Sequence, residues 1–180
     1  MAILYEHYNT GDQGSVYIYD DMWQAQTFTP SVAHKITSVK LKLFRVGSPG
    51  TVTVSIQGTD GSGHPDGVDL CSGTTNGNTL PTGPPHEWRE ITLGDGCDLS
   101  ASTKYAIVIR IDSEVFGNRI QWRIDSSGAY TGGCTETSID GGSSWSSATS
   151  QDGMFEEYGI AGGFPPGLSL GSVAEILGIV

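Results

Sequence analysis

The chain has 180 residues, of which 37% are hydrophobic and 26 are glycine, and its formal net charge is −11. This length accommodates one domain with a self-sufficient core, and so much glycine is typical of short strands joined by tight turns. Because an acidic surface repels phosphate backbones, we expect no nucleic-acid partner.

The N-terminal sequence MAILYEHYNTGD lacks the features of a signal peptide. It has no basic region, no apolar core of sufficient length and no cleavage-site pattern. The longest apolar stretch, at the C-terminus, is too short and too interrupted to span a bilayer. We therefore expect synthesis in the cytoplasm without a signal peptide, and no membrane partner.

The first third of the chain predicts strands at 3–8, 16–19 and 23–29, the last ended by Pro30. A pair of alternating runs follows, separated by the turn sequence GSPG at 47–50. We expect these two runs to form an antiparallel hairpin whose aliphatic face needs a second sheet to cover it. Its core residues are Val39, Leu41, Leu43, Val52, Val54 and Ile56.

The remaining sequence predicts strands at 70–75, 88–93, 104–111, 118–124, 132–139, 145–150 and 154–160. The run 104–111 is the most hydrophobic and is expected to lie centrally in its sheet. In 118–124 the alternation assigns Ile120, Trp122 and Ile124 to the core.

About ten strands at this spacing indicate a sandwich or a barrel. We predict an all-β fold, a two-sheet antiparallel β-sandwich of jelly-roll type. An immunoglobulin-like domain is disfavoured because there are more strands than the seven-strand type needs. The predicted sandwich covers residues 1–161, and residues 162–180 form a separate apolar tail.

The tail joins a Pro-Pro spacer to an apolar segment with one charge. Two fates remain open for it: docking on its own domain, as a short helix capped by Ser172, or insertion into a neighbouring subunit as an assembly arm. The candidate assembly residues are Leu168, Leu170, Val173, Ile176, Leu177 and Ile179.

The three cysteines are too few for a disulfide scaffold or a zinc site. We expect buried free thiols, with a bridge between Cys71 and Cys97 as the alternative, since both lie beside a predicted loop–strand junction. The four histidines are far apart in sequence, and we expect each to be solvated at the surface. They are His7, His34, His64 and His86.

Three acids in one polar loop, Asp60, Asp66 and Asp69, are weak candidates for calcium ligands. Ordinary turn formation by Asp and Gly is the alternative, and no other cofactor is expected. Glu156 and Glu157 are adjacent on a predicted strand and must point to opposite faces, so they are not a glycosidase pair. With no P-loop or dinucleotide motif, we expect no enzymatic activity.

Exposed aromatic rings beside polar side chains are the feature expected of a sugar-binding surface. Trp88, Tyr130 and Trp145 flank predicted loops and are the candidates for glycan binding. The alternative is that each ring packs within the sandwich, which is the commoner role of large aromatic residues.

A long run of the chain resembles jelly-roll modules of phage particle proteins and of prokaryotic surface proteins. The motifs that carry the resemblance are QTFTP, KITSVKLKLFRVGSPG, TDGSGHPDG, EWREITL and TKYAIVIR, between Trp23 and Tyr158. It implies a non-catalytic decoration or structural protein of a virion, in contact with neighbouring subunits and forming homo-oligomers. The alternative it implies is a carbohydrate-binding module that attaches to host or matrix glycans.

The segment 138–145, SIDGGSSW, resembles the Asp-box pattern of sialidase-type propellers. One copy does not make a propeller. The resemblance implies a hairpin in which Asp140 accepts backbone N–H groups and Trp145 packs over the turn.

Overall fold

The structure, a computed structural model, describes residues 1–113 and 115–162. Within these ranges the only helical element is a 3₁₀ turn at Gly77–Thr79, and no helix is long and apolar enough to cross a membrane. The candidate assembly residues of the tail lie outside the described residues. The strands are β1 (Ile3–Tyr8), β2 (Gly14–Ile18), β3 (Trp23–Phe28), β4 (His34–Val46), β5 (Thr51–Thr59), β6 (Pro65–Asn76), β7 (Glu87–Leu99), β8 (Tyr105–Ile111), β9 (Arg119–Asp125), β10 (Thr135–Ser138), β11 (Ser146–Ala148), β12 (Asp152–Gly153) and β13 (Phe155–Ala161).

The strands form two antiparallel sheets. In the seven-stranded sheet, β4 pairs with β7 on one side and with β13 and β9 in succession on the other, while β1 and β2 lie outside β13 and β9. The short strand β12 extends this sheet beside β9. The six-stranded sheet has the order β11–β10–β3–β8–β5–β6, with the hydrophobic strand β8 in its interior as expected.

Four strand pairs give the sandwich its jelly-roll winding. They are β1 with β13, β3 with β8, β4 with β7 and β5 with β6. A ribbon of nested antiparallel pairs, rolled so that successive pairs alternate between two sheets, is the double Greek key of this architecture. The predicted all-β, jelly-roll-like sandwich is therefore confirmed, with β9 to β12 added between β8 and β13.

The predicted hairpin between β4 and β5 is wrong, although the strands themselves are correct. Strand β4 belongs to the seven-stranded sheet and β5 to the six-stranded sheet, so the turn at 47–50 connects one sheet to the other. Gly47 and Gly50 have φ values of 62° and 78°, which support this change of direction. An alternating pattern shows that one face is buried, but it does not show which strand lies beside it.

One core fills the space between the sheets. Leu41, Val54 and Ile107 have no exposed surface, and neither has Trp122, whose Nε1–H donates to the Met154 carbonyl at 2.9 Å. The expected core assignments in β4, β5 and β9 are thus confirmed. The rings of Phe28 and Phe155 pack at 6.1 Å in the same cluster.

A disulfide joins Cys71 to Cys97, so the expectation of free thiols is wrong for this pair and the alternative is correct. Cys71 lies within β6 and Cys97 within β7, rather than beside loop junctions. Because β6 and β7 belong to different sheets, the bond connects the two layers covalently. Cys134 is a free, half-buried thiol.

Candidate functional site

The most distinctive surface lies on the face of the six-stranded sheet that points away from the core. Alternation along β3 and β8 places Ala25, Ala106 and Val108 on this face, opposite the core residues of the same strands. All three are nevertheless fully buried, because Trp23 and Trp145 pack against them. We call this the aromatic face, defined by these five residues.

Charged and polar side chains border the aromatic face. The Arg110 guanidinium lies 5.1 Å from the centre of the Trp23 ring, and its Nη2 lies 2.6 Å from Asp69 Oδ2. Gln57 Nε2–H donates to Asp69 Oδ1 at 2.9 Å. Although burial opposes the charge, the hydrogen bonds from Arg110 and Gln57 keep the pKa of Asp69 below its ordinary value.

On β10 the same sheet face carries Glu136, which is almost fully buried. Its carboxylate lies 2.9 Å from His64 Nδ1 and accepts from Ser147 Oγ–H at 2.7 Å. The loop after β5 delivers His64, since Asp60 Oδ1 accepts from the backbone N–H groups of Ser62 and His64. The border therefore presents planar polar groups that are already fixed in orientation.

The hairpin expected at 138–145 is present and supports the aromatic face. Asp140 accepts from Ser144 N–H, Ser144 Oγ–H and Ser138 Oγ–H. These bonds lower the pKa of Asp140 to about 2. Gly142, at φ 86°, lies so close to the Trp23 ring that a Cβ would meet it at 2.7 Å. The turn therefore packs closely on Trp23, and Trp145, at its end, packs on the same buried cluster.

The structure does not bring the three glycan-binding candidates together. Trp145 lies on the aromatic face, but Trp88 lies on the seven-stranded sheet, opposite Lys42, whose Nζ is 5.8 Å from the ring centre. Tyr130 packs edge-on against Phe155 at 5.4 Å, and burial raises the pKa of its phenol. Sequence reasoning missed Trp23, because its place in a strand gave no indication that it faces outward beside Trp145.

A groove of about 320 Å³ opens at one end of the six-stranded sheet. Its polar lining includes Thr29, Lys104, Thr131, Cys134 and Thr149. Burial and the nearby Glu136 carboxylate raise the pKa of the Cys134 thiol, which disfavours the nucleophilic thiolate.

The three calcium candidates are each engaged in separate local contacts. Asp60 closes its own turn, Asp66 accepts from the Val68 N–H at 2.9 Å, and Asp69 pairs with Arg110. Within residues 1–113 and 115–162, no group of three or more His, Cys, Asp or Glu side chains is placed to hold a metal ion.

The expectation of a surface histidine is wrong for His34, which is buried at one end of the core. Its Nε2 lies 2.6 Å from Glu157 Oε1, and neither side chain has exposed surface. Burial raises the pKa of Glu157. Glu156, by contrast, lies on the outer surface and accepts from Tyr158 O–H at 2.6 Å, so the prediction that the two adjacent glutamates face opposite sides is confirmed.

Comparison with known proteins gives no family to which the chain can be assigned. No protein-family model matches it, and no curated protein matches it significantly. Any function has to be argued from the chain's own residues.

Proposed function

We propose that the chain is a non-catalytic structural or decoration protein of a phage-like particle, bound to neighbouring subunits through its termini. The observation that carries this proposal is an apolar edge of the sandwich. Ile3 and Leu4 of β1 are 53% and 40% exposed, and Ile160 of the adjacent β13 is 40% exposed. Among the described residues, β1 pairs only with β13, so its other edge has unpaired backbone groups.

The chain continues from this same edge into its most apolar sequence. Strand β13 ends at Ala161, and the segment 168–180 follows after a short spacer. Exposed apolar edges are surfaces at which chains associate. Both ends of the sandwich sequence thus supply apolar groups at one place.

The body of the molecule supports a structural role. Its two sheets enclose one continuous core and are connected by the Cys71–Cys97 disulfide. Disulfides persist in oxidising surroundings, such as those of a particle released from its host. The assignment to a phage-like particle is further supported by the resemblance of the run from Trp23 to Tyr158.

Sedimentation velocity tests assembly through the termini. We expect the full chain to form multimers, and we expect a chain ending at Gly162, or the double variant Ile3→Ser/Leu4→Ser, to sediment as a folded monomer. The matched control is Val68→Ser/Leu70→Ser, which removes two exposed apolar residues from β6, the edge strand of the other sheet. A monomeric wild type, or multimers that only the β6 control disrupts, contradicts the proposal.

Location on a particle requires a separate experiment. In lysate of the source cells, the chain should sediment with particles that protect nucleic acid from nuclease. An antibody against the sandwich should then label those particles in negative-stain micrographs. If the chain sediments only as free protein, the particle assignment is wrong even where self-association is observed.

A second candidate function is attachment to glycans, which the aromatic face favours. It combines two tryptophan rings with Arg110 and Asp69, and sugar recognition uses aromatic rings beside oriented polar groups. We expect glycan-array binding to be lost in Trp145→Ala and to persist in Trp88→Ala, the matched tryptophan of the other sheet. No binding by the wild type, or loss only in the Trp88 variant, eliminates this candidate.

A further inference from the structure

The buried pair of His34 and Glu157 has a fixed number of protons. His34 Nδ1 lies 2.8 Å from the carbonyl oxygen of Val32, which can only accept, so Nδ1 carries a hydrogen. The other ring nitrogen, Nε2, lies 2.6 Å from Glu157 Oε1. A hydrogen must lie between these two atoms, because two lone pairs facing each other in a dry interior would repel.

This hydrogen belongs to the pair as a whole. If it sits on the histidine, the pair is an ion pair; if it sits on the glutamate, both groups are neutral. In either form the pair carries no net charge and holds one proton more than a glutamate carboxylate with a neutral histidine. Loss of that proton would leave a net negative charge on two side chains that have no exposed surface, and burial makes this unfavourable.

Strand β1 covers the pair. The Tyr5 ring stacks on the His34 ring with centroids 3.7 Å apart and an interplanar angle of 4°, and the Glu6 N–H donates to Glu157 Oε2 at 3.3 Å. Both residues lie where the register of β1 against β13 shifts, between Leu4 and His7. The bulge thus directs Tyr5 and Glu6 to the pair instead of to the ladder.

The neighbouring strand leaves room for the imidazole. A Cβ on Gly159 would lie 2.7 Å from His34 Cδ2 and 2.4 Å from the Lys35 carbonyl oxygen. The histidine ring therefore occupies space that any other residue at 159 would fill.

Among residues 1–113 and 115–162, few other ionisable groups act on the pair. From β1 they are Tyr5 and Glu6, whose carboxylate accepts from the Ser31 N–H at 2.9 Å. The segment after β9 contributes Tyr130. Burial raises the pKa of the Tyr130 phenol, so this group stays protonated. His7, also on β1, is exposed and interacts with Glu156 rather than with the pair.

We propose that the proton shared by His34 and Glu157 fastens the N-terminal strand β1 to the sandwich, so that opening of this strand depends on pH. When β1 lifts away, both side chains enter water, where the side chains of free histidine and glutamate take up protons at about pH 6.5 and 4.3. Opening then releases one proton above about pH 6.5 and takes up one proton below about pH 4.3. Between these values it is independent of pH.

Hydrogen exchange of the Glu6 amide measures this opening. After division by the intrinsic exchange rate, the opening constant of the wild type should be flat from about pH 4.5 to 6.5 and should rise about tenfold per pH unit above it. The Glu6 amide should also exchange faster than the core amide of Ile107 at every pH. A flat profile above pH 6.5, or exchange of both amides at the same rate, overturns the proposal.

The variant Glu157→Gln should reverse the sign of the effect. Its amide can donate to His34 Nε2 while still accepting from the Glu6 N–H, so the closed state needs no shared proton. Opening should then be flat above about pH 6.5 and rise about tenfold per unit below it, as the freed histidine takes up a proton.

The matched control is His7→Gln, which removes the other histidine of β1 and should keep the wild-type profile. The proposal is overturned if the opening constant of Glu157→Gln depends on pH as in the wild type, or if that dependence is lost in His7→Gln. Either result would mean that the proton belongs to another group. If Glu157→Gln does not fold, the wild-type profile decides.

Discussion

At the residue scale, Asp140 closes the hairpin between β10 and β11. Its Oδ1 accepts from the Ser144 N–H at 2.8 Å and from Ser138 Oγ–H at 2.7 Å, and its Oδ2 accepts from Ser144 Oγ–H at 2.5 Å. The ionised carboxylate can accept all of these hydrogen bonds at once. These bonds lower its pKa to about 2, which means that they stabilise the charged form.

We expect Asp140→Ala to release the hairpin and loosen Trp145 from the aromatic face. The indole N–H resonance of Trp145 should move toward the position of an exposed indole. The exposed Asp95 of β7 provides the control, since Asp95→Ala should leave this resonance unchanged. In the wild type the stabilisation is complete above about pH 4 and is lost as the pH falls through about 2. An unchanged resonance in Asp140→Ala would show that the carboxylate does not hold the turn.

Single residues differ in how well the sequence predicts their place. Trp122 alternates with polar neighbours along its own strand, and that local pattern was enough to assign it to the core. The burial of His34 depends on Glu157, a partner 123 residues away, and no local pattern contains that information. The same holds for Trp23, whose position on the aromatic face depends on Trp145.

At the element scale, the sequence predicts the strands far better than their partners. Strand β1 matches its predicted range fully, whereas β6 and β7 extend well beyond theirs into glycine- and aspartate-rich sequence. Those extensions pair with regular strands, β5 and β4, whose ladders hold segments of poor intrinsic propensity. Pairing imposed by a neighbour is a tertiary effect and is not visible in the segment itself.

The turn between β4 and β5 shows the same limit. Residues 47–50 have the composition of a hairpin turn, yet they connect two layers. A hairpin turn and a connection between two sheets both join strands that have one buried face, and both tolerate the same turn residues. The nested pairing of a jelly roll decides between them, because β4 already has β7 and β13 as neighbours.

At the scale of the whole molecule, the two sheets approach most closely along the edge formed by β6 and β7. A Cβ on Gly73 of β6 would lie 1.8 Å from the Thr92 carbonyl oxygen of β7, so the strands touch there without intervening side chains. The Cys71–Cys97 bond lies on the same two strands. Since it spans 26 residues and both layers, it restricts the unfolded chain and limits separation of the sheets.

Removing this bond should destabilise the whole sandwich. For a loop of this size, Cys71→Ala/Cys97→Ala should lower the free energy of unfolding by about 2–4 kcal/mol. At about 2–4 °C per kcal/mol for a domain of this length, the Tm should fall by about 5–15 °C. Urea and thermal unfolding followed by circular dichroism measure both values.

Cys134→Ser is the control, because Cys134 takes no part in the bond. Reductant should lower the stability of this control and of the wild type, but not that of the double variant. Equal stability of oxidised wild type and double variant would mean that packing of β6 on β7 alone holds the two sheets together.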